Sequence, residues 1–262
     1  MIGKVAVYVS GEDRDYLSYV KDVSARLGIT PHFLYIEEEY LLGDLFGFFT
    51  KPSEEKQTAV KKHIQDLFDN FNFYALSGRE ENTVAQLQEN YDLVFVKYKK
   101  HLFRKSTPEW LLSKVDNIRL WVYKEGSVSD IKRVCLPVDF SERSLRQVEF
   151  VEHLKNFLNF EYCLVYALNV GRLRGKLSGK DYSMSLSDKH EEVRHMYTDL
   201  FGEKQMELIL LEGDPYRDMV RHINSAQYDL VVVGRRGKGM RERIGSVSLH
   251  LIRSTKCPVV VL

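Results

Sequence analysis

Three cysteines, no long apolar run and no surplus of charge are what this 262-residue chain has to offer in those respects, and each shortage removes a class of protein. Cys135, Cys163 and Cys257 lie in strand-like apolar stretches, without CxxC spacing and without a histidine cluster. They read as small buried hydrophobes, not as a disulfide framework or a zinc site. No apolar stretch is long enough to span a bilayer. The opening MIGKVAVYVSGEDRD reaches acidic residues too soon for a signal peptide, so a cytoplasmic protein with no membrane role is expected. With 38 Lys+Arg against 37 Asp+Glu the formal charge is +1, which gives no support to a nucleic-acid partner. The phosphate-loop pattern GxxxxGK[ST] is absent, and no Ser–His–Asp set can be assigned from the scattered histidines. His190 and His195 stand five apart, a poor spacing for a metal pair on one helix face.

What is present is strand alternating with helix. Lys4–Ser10 reads as a buried strand, and Asp13–Leu27 carries an apolar stripe at Tyr16, Tyr19, Val20, Val23 and Leu27 with Gly28 as its stop. Strands are expected at His32–Ile36, Phe71–Leu76, Asp92–Val96 and Ile118–Tyr123, with helices at Glu54–Asn70, Asn82–Asn90 and Glu109–Val115 between them. The aromatic segment Leu41–Phe49 suits either a flap over its own core or a partner surface. Alternation of this kind predicts a mostly parallel sheet covered by helices on both faces. Gly126–Asp130 is short and polar, as a linker should be, and separates a first domain at 1–125 from a second at 131–262.

Past the linker the order begins again. Strands are expected at Arg133–Val138, Tyr162–Val170, Gln205–Leu211, Leu230–Val233 and Cys257–Leu262. Helices are expected at Glu142–Leu158 with Ser141 as N-cap, at Asp188–Phe201 and at Tyr216–Ala226, with another starting near Gly245. Gly171–Asp181 reads as a basic loop. Tyr91–Val96 (YDLVFV) matches Tyr228–Val233 (YDLVVV) at an offset of 137, and Val5 matches Val134 at 129. Two tandem homologous domains follow. The glycines of the second half do not survive in the first: in this register Lys97 stands opposite Gly234, Lys100 opposite Gly237, Pro108 opposite Gly245, and Ser10 opposite Asp139. Glycines that let a backbone approach an anion, followed by a helix start, suit phosphate binding, so any phosphate site belongs to the second half.

The second half resembles the universal stress protein family. The resemblance rests on Val138-Asp139-Phe140-Ser141, Glu212-Gly213-Asp214-Pro215, Asp229–Gly237, Gly245-Ser246-Val247-Ser248 and Cys257–Val261, and covers Ile131–Leu262. In the first half only element order and the YDLV strand carry it. It implies two open five-stranded α/β sheets of the adenine nucleotide α-hydrolase type, paired through their last strands as a pseudo-dimer. It also implies ATP, or AMP or ADP, bound beyond the first and fourth strands of the second domain, with a divalent ion such as Mg2+. Carried over, Val138 and Val170 line the base pocket, Asp139 accepts a hydrogen bond from the nucleoside, and Gly213 gives it room. Gly234, Gly237, Gly245, Ser246 and Val247 surround the phosphates, with Lys238 beside them. The loop Lys238–Ile244 has seven residues, two fewer than the family pattern.

Related folds are told apart by motif. An ATP pyrophosphatase shows a Ser-Gly-Gly loop after its first strand, where this chain has Asp139-Phe140-Ser141, and a nucleotidylyltransferase shows His-x-Gly-His, which is absent. No general base is assignable, so slow ATP hydrolysis is the most that is expected of it as an enzyme. The expected function is a nucleotide-binding, stress-response-type regulator. The alternative is a scaffold without nucleotide that acts through a protein partner or as a homodimer.

Overall fold

The computed structural model describes residues 2–36, 48–49, 53–76, 78–101, 105–115, 117–170, 179–235 and 244–262. Most of the aromatic segment, the chain at 171–178 and the loop at 236–243 with Gly237, Lys238, Arg241 and Arg243 lie outside those residues. The chain divides into two compact units, one centred on Met1–Asp130 and the other on Ile131–Val259.

In the first unit, β1 (Val5–Val9) leads to α1 (Arg14–Leu27) and β2 (His32–Tyr35). The short strands β3 (Phe48–Phe49) and β5 (Gly78–Arg79) pair antiparallel, and α2 (Glu54–Gln65) and β4 (Asn72–Ala75) lie between them in the chain. The unit closes with α3 (Glu80–Asn90), β6 (Leu93–Lys97), α4 (Thr107–Lys114) and β7 (Arg119–Tyr123). The main sheet has the order β4-β2-β1-β6-β7 and is parallel throughout. Every residue of β1 is buried, which is why the strand reads as a continuous apolar run rather than an alternating one. Gly28 ends α1 with φ 66°, a left-handed turn that costs a residue without a Cβ little.

The second unit runs β8 (Arg133–Pro137), α5 (Glu142–Leu154), β9 (Glu161–Leu168), α6 (Gly179–Phe201) and β10 (Glu207–Glu212). It continues with α7 (Arg217–Ser225), β11 (Leu230–Val233), α8 (Ser246–Ser254) and β12 (Val259–Val261). The strand order is β10-β9-β8-β11-β12, with β8, β9, β10 and β11 parallel. Both halves thus show the expected α/β architecture. Helix lengths differ from expectation: α2 stops at Gln65 instead of Asn70, α5 at Leu154 instead of Leu158, and α6 starts at Gly179 instead of Asp188. The added turns of α6 run through Ser183, Ser185 and Ser187, where no apolar stripe announces a helix.

The repeat extends to individual contacts. The two sequence offsets equate Val5 with Val134 and Leu93 with Leu230, and the sheets pair Val5 with Leu93 and Val134 with Leu230. Asp92 of the first YDLV accepts the Lys4 N–H at 3.0 Å, while Asp229 of the second accepts the N–H groups of Lys132 and Arg133 at 2.9 Å each. Both carboxylates satisfy backbone donors at the start of the unit's first strand. The motif tyrosines also reach equivalent places: Tyr91 Oη lies 3.4 Å from His32 Nδ1, and Tyr228 Oη lies 3.1 Å from Cys163 Sγ. The YD pair therefore marks the foot of the sheet. In open parallel sheets, ligand sites lie at the opposite, carboxyl ends of the strands.

Candidate functional site

At those carboxyl ends β8 and β11 part company: the chain after β8 turns into α5, and the chain after β11 leads on to α8. The turn after β8 is held by Asp139. Its Oδ1 accepts from the Ser141 N–H (3.1 Å), the Ser141 hydroxyl (2.6 Å) and the Ser144 hydroxyl (3.1 Å), and its own N–H donates to Ser144 Oγ (3.3 Å). Ser141 sits in the N-cap position of α5 as expected, but makes no side-chain cap bond, because its hydroxyl is turned onto Asp139. Between them Phe140 has φ 54°, a left-handed conformation that costs a residue with a Cβ of order 1 kcal/mol or more. Its ring is anchored 5.1 Å from that of Tyr166 and 6.2 Å from that of Phe201.

Beyond β11, the Gly245 N–H donates to the Arg235 carbonyl at 2.7 Å, and the Ser248 hydroxyl donates to the Gly234 carbonyl at 2.7 Å. These two bonds tie the start of α8 to the end of β11. Gly245 is the N-cap of α8 and offers no side chain, so the first-turn N–H groups of Ser246, Val247 and Ser248 have no acceptor within the helix. Gln147 spans the gap between the strands: its buried amide donates to the carbonyls of Pro137 and Val232, 2.9 Å each. The result is a cleft of about 180 Å³ between the turn, the helix start and the strand ends. Apolar contact comes from Val138, Tyr166, Ala167 and Met219, and polar groups from Asp139 and the start of α8.

Six of the expected residues, Val138, Asp139, Gly234, Gly245, Ser246 and Val247, line this cleft. Val170 does not: it is buried after β9, its N–H donating to the Leu168 carbonyl at 2.8 Å. Gly213 does not open space for a ligand either. A Cβ there would stand 2.3 Å from Asp218 Oδ2, and that same oxygen accepts the Asp214 N–H at 2.7 Å. The glycine makes room for a carboxylate of its own chain. Gly237 and Lys238 lie outside the described residues.

Four residues that periodicity did not single out also belong here. Gln147 had a signal, since a polar residue four before Val151 and seven before Leu154 falls on the buried stripe of α5. Tyr166 and Met219 had none, looking like ordinary core residues. Tyr216, whose hydroxyl lies 2.9 Å from Ser246 Oγ, is thirty positions away in sequence and comes near only through the fold. Asp214, in the turn before α7, accepts from the Arg217 and Tyr216 N–H groups, which hold its carboxyl below the usual carboxylate range.

The corresponding place in the first unit is built differently. Lys97, where the second unit has Gly234, forms an ion pair with Asp13, whose other oxygen caps α1 by accepting the Tyr16 N–H at 3.2 Å. The start of α4 is closed by its own carboxylate: buried Glu109 accepts from the Ser106 N–H (2.7 Å) and hydroxyl (2.6 Å) in a capping box. The N-cap equivalent to Gly245 is therefore Ser106, not Pro108, and the offset of 137 lengthens to 139 because the first unit's connection is two residues shorter. A cleft of about 340 Å³ exists here too, larger than the other. Size alone would choose the first unit. The start of α8, unlike that of α4, carries no side-chain cap among the described residues.

Against that geometry, a profile of the universal stress protein family matches residues 130–262. The chain belongs to the universal stress protein family. A universal stress protein of Methanocaldococcus jannaschii is 27% identical over 138 residues, 50% of this chain and 81% of that relative. Among solved structures, a universal stress protein of Archaeoglobus fulgidus superposes with a TM-score of 0.62 at 15% identity, covering 98% of this chain and 95% of that one. A functionally unknown protein of Pseudomonas aeruginosa gives 0.67 at 13% identity, covering 100% of this chain and 92% of that one. Those likenesses establish the universal stress protein fold across both halves. No helix among the described residues is long and apolar enough to cross a membrane. No three His, Cys, Asp or Glu side chains among them stand ready to hold a metal ion.

Proposed function

We propose that this universal stress protein is a stress-response regulator that binds an adenine nucleotide in the cleft of its second unit. The observation that carries the reading is the uncapped start of α8 opening onto a cleft with an apolar wall, next to Asp139. Helix-start N–H groups and the positive end of the helix dipole favour a phosphate. Val138, Tyr166 and Met219 supply the apolar surface that a base needs. Asp139, held in place by Ser141 and Ser144, lines the cleft as a hydrogen-bond acceptor. A divalent ion bound with the nucleotide would offset phosphate charge, its coordination completed by the phosphates themselves and water.

Binding, not turnover, is the chemistry these residues favour. Asp139 Oδ1 accepts from three donors of Ser141 and Ser144, which fixes its orientation as an acceptor for a bound ligand. Isothermal titration of the full chain with AMP, ADP and ATP, each with and without magnesium, tests the proposal. Saturable heat that disappears in Gly234→Val is the expected result. Absence of heat for all three at millimolar concentration would overturn it.

A further inference from the structure

Gln147 reaches the cleft of the second unit from α5 with only half of its hydrogen-bonding capacity used. Its Nε2 carries two hydrogens, and each has a carbonyl to meet, those of Pro137 and Val232 at 2.9 Å. Two acceptors against one end of the amide fix that end as the nitrogen. The strand pairing shows why an amide is needed there. β8 and β11 are matched at Val134 with Leu230 and at Cys135 with Val231, and Pro137 and Val232 lie past those pairs, where the strands part. Gln147 is 3% exposed and lines the cleft, so the polar group it has left for a ligand is Oε1, an acceptor to which no described residue donates. A buried acceptor without a donor is costly, and a ligand that brings one removes the cost. Gln147 follows Ser144 by one turn on the buried face of α5, and the Ser144 hydroxyl donates to Asp139 at 3.1 Å. The α5 side of the cleft thus offers acceptors, Asp139 and Gln147 Oε1, and the start of α8 offers donors.

From this we infer that Gln147 is a specificity-determining residue of the second-unit site, whose Oε1 accepts a hydrogen bond from a donor on the nucleoside part of the ligand. The inference rests on the adenine-nucleotide reading above and sharpens it. A nucleotide carries such donors in two places, the sugar hydroxyls and the exocyclic amine of adenine. Ionised phosphate oxygens only accept, so they gain nothing from Gln147. A ligand in which the donor is replaced by hydrogen or by a carbonyl leaves Oε1 buried and unpaired, and a site built to meet a donor rejects such an analogue strongly.

The test is titration calorimetry of the full-length protein with AMP, its two singly deoxygenated sugar analogues and IMP, on wild type and Gln147→Met. Each deoxy analogue lacks one sugar hydroxyl, and IMP carries a carbonyl where AMP has the amine. Methionine keeps the length of the side chain and removes the amide. Circular dichroism and thermal melting check the fold, and the melting temperature is expected to fall because the Pro137 and Val232 carbonyls lose their donor. In wild type at least one of the three analogues should bind about tenfold or more weaker than AMP, and which one it is assigns the donor to sugar or base. In Gln147→Met that same analogue should bind within about threefold of AMP, a convergence that lowered stability alone would not produce. If none of the three loses about tenfold on wild type, the inference is overturned and the nucleotide reading stands. That comparison needs no variant, so it holds even where Gln147→Met fails to fold. A discrimination of unchanged size in Gln147→Met would assign the donor to another acceptor and overturn the inference as well. If AMP itself does not bind, the nucleotide reading falls and this inference with it.

Discussion

The carboxyl ends of β1 and β6 and those of β8 and β11 are the same place in the fold, furnished with different polar groups. In the first unit a lysine stands at the end of β6 and pairs with Asp13, and buried Glu109 neutralises the start of α4. In the second a glycine stands at the end of β11, and the start of α8 carries no side-chain cap. A capping box stabilises its helix by giving orphan N–H groups a partner, and in doing so removes the positive end that a phosphate would seek. A bare N-cap forgoes that stability and keeps the end open. The difference separates a helix start that its own side chains stabilise from one without a side-chain cap, the one at which a ligand is proposed. The larger cleft lies on the stabilised side, so volume and the uncapped helix start point to different units.

The comparison can be broken by moving residues across it. Gly234→Lys puts the first unit's residue into the second unit's cleft and should weaken nucleotide binding by about a hundredfold or more, equivalent to about 2.7 kcal/mol, in calorimetry. An affinity within threefold of wild type would mean that the end of β11 does not face the ligand. Gly213→Ala tests whether this glycine serves a ligand or the fold. With Asp218 2.3 Å from the new Cβ, stability should fall by about 1–3 kcal/mol in chemical denaturation, while nucleotide affinity changes less than about threefold. A large affinity loss at unchanged stability would return Gly213 to the site.

A smaller effect is expected from Glu109→Ala, which opens the start of α4. It should cost about 1 kcal/mol of stability, read from denaturant midpoints, and should not create a nucleotide site while Lys97 remains paired with Asp13. Acquired binding would show that the cap alone distinguishes the two units. The smallest effect concerns the foot of each sheet. Burial, with Lys4 adding to it, lowers the pKa of His32 beside Tyr91; burial, with Arg133 adding to it, lowers that of His222, 3.2 Å from Tyr228. A folded-state histidine pKa below the unfolded value means that the unfolded chain takes up the proton first. Stability is therefore complete above the ordinary histidine range near ~6.5 and declines as pH falls through it toward the depressed values. Denaturant midpoints at pH 7.5 and 5.5 should differ less in the double variant His32→Phe, His222→Phe than in wild type. An equal or larger difference would place the acid sensitivity elsewhere.

Much of the fold was legible because its determinants are local or repeated. Buried parallel strands must be apolar on both faces, so runs such as Val5–Val9 and Leu230–Val233 announce themselves. The YDLV repeat carried a register that the paired strands share, because Asp92 and Asp229 both close the foot of a sheet. The cleft was legible in part. Val138, Asp139, Gly234 and Gly245–Val247 all flank the ends of strands that the sequence already marked. Gly213 misled because a glycine before a helix looks the same whether the missing Cβ makes way for a ligand or for Asp218. Pro108 misled because a constant offset cannot register a connection shortened between two matched elements.

By itself, then, the sequence determined that the chain is two α/β repeats and that the second alone retains phosphate-type glycines. Both follow from short-range rules of burial periodicity and backbone freedom. Only the tertiary structure decided what occupies the two helix starts. Ser106 and Glu109 are three residues apart and form a recognisable box, but the Lys97–Asp13 pair spans 84 positions, and the Tyr216–Ser246 and Gly213–Asp218 arrangements depend on how separate segments come together or turn back on themselves. Whether a helix start is open is a matter of what the rest of the chain brings to it, and spacing along the sequence does not carry that.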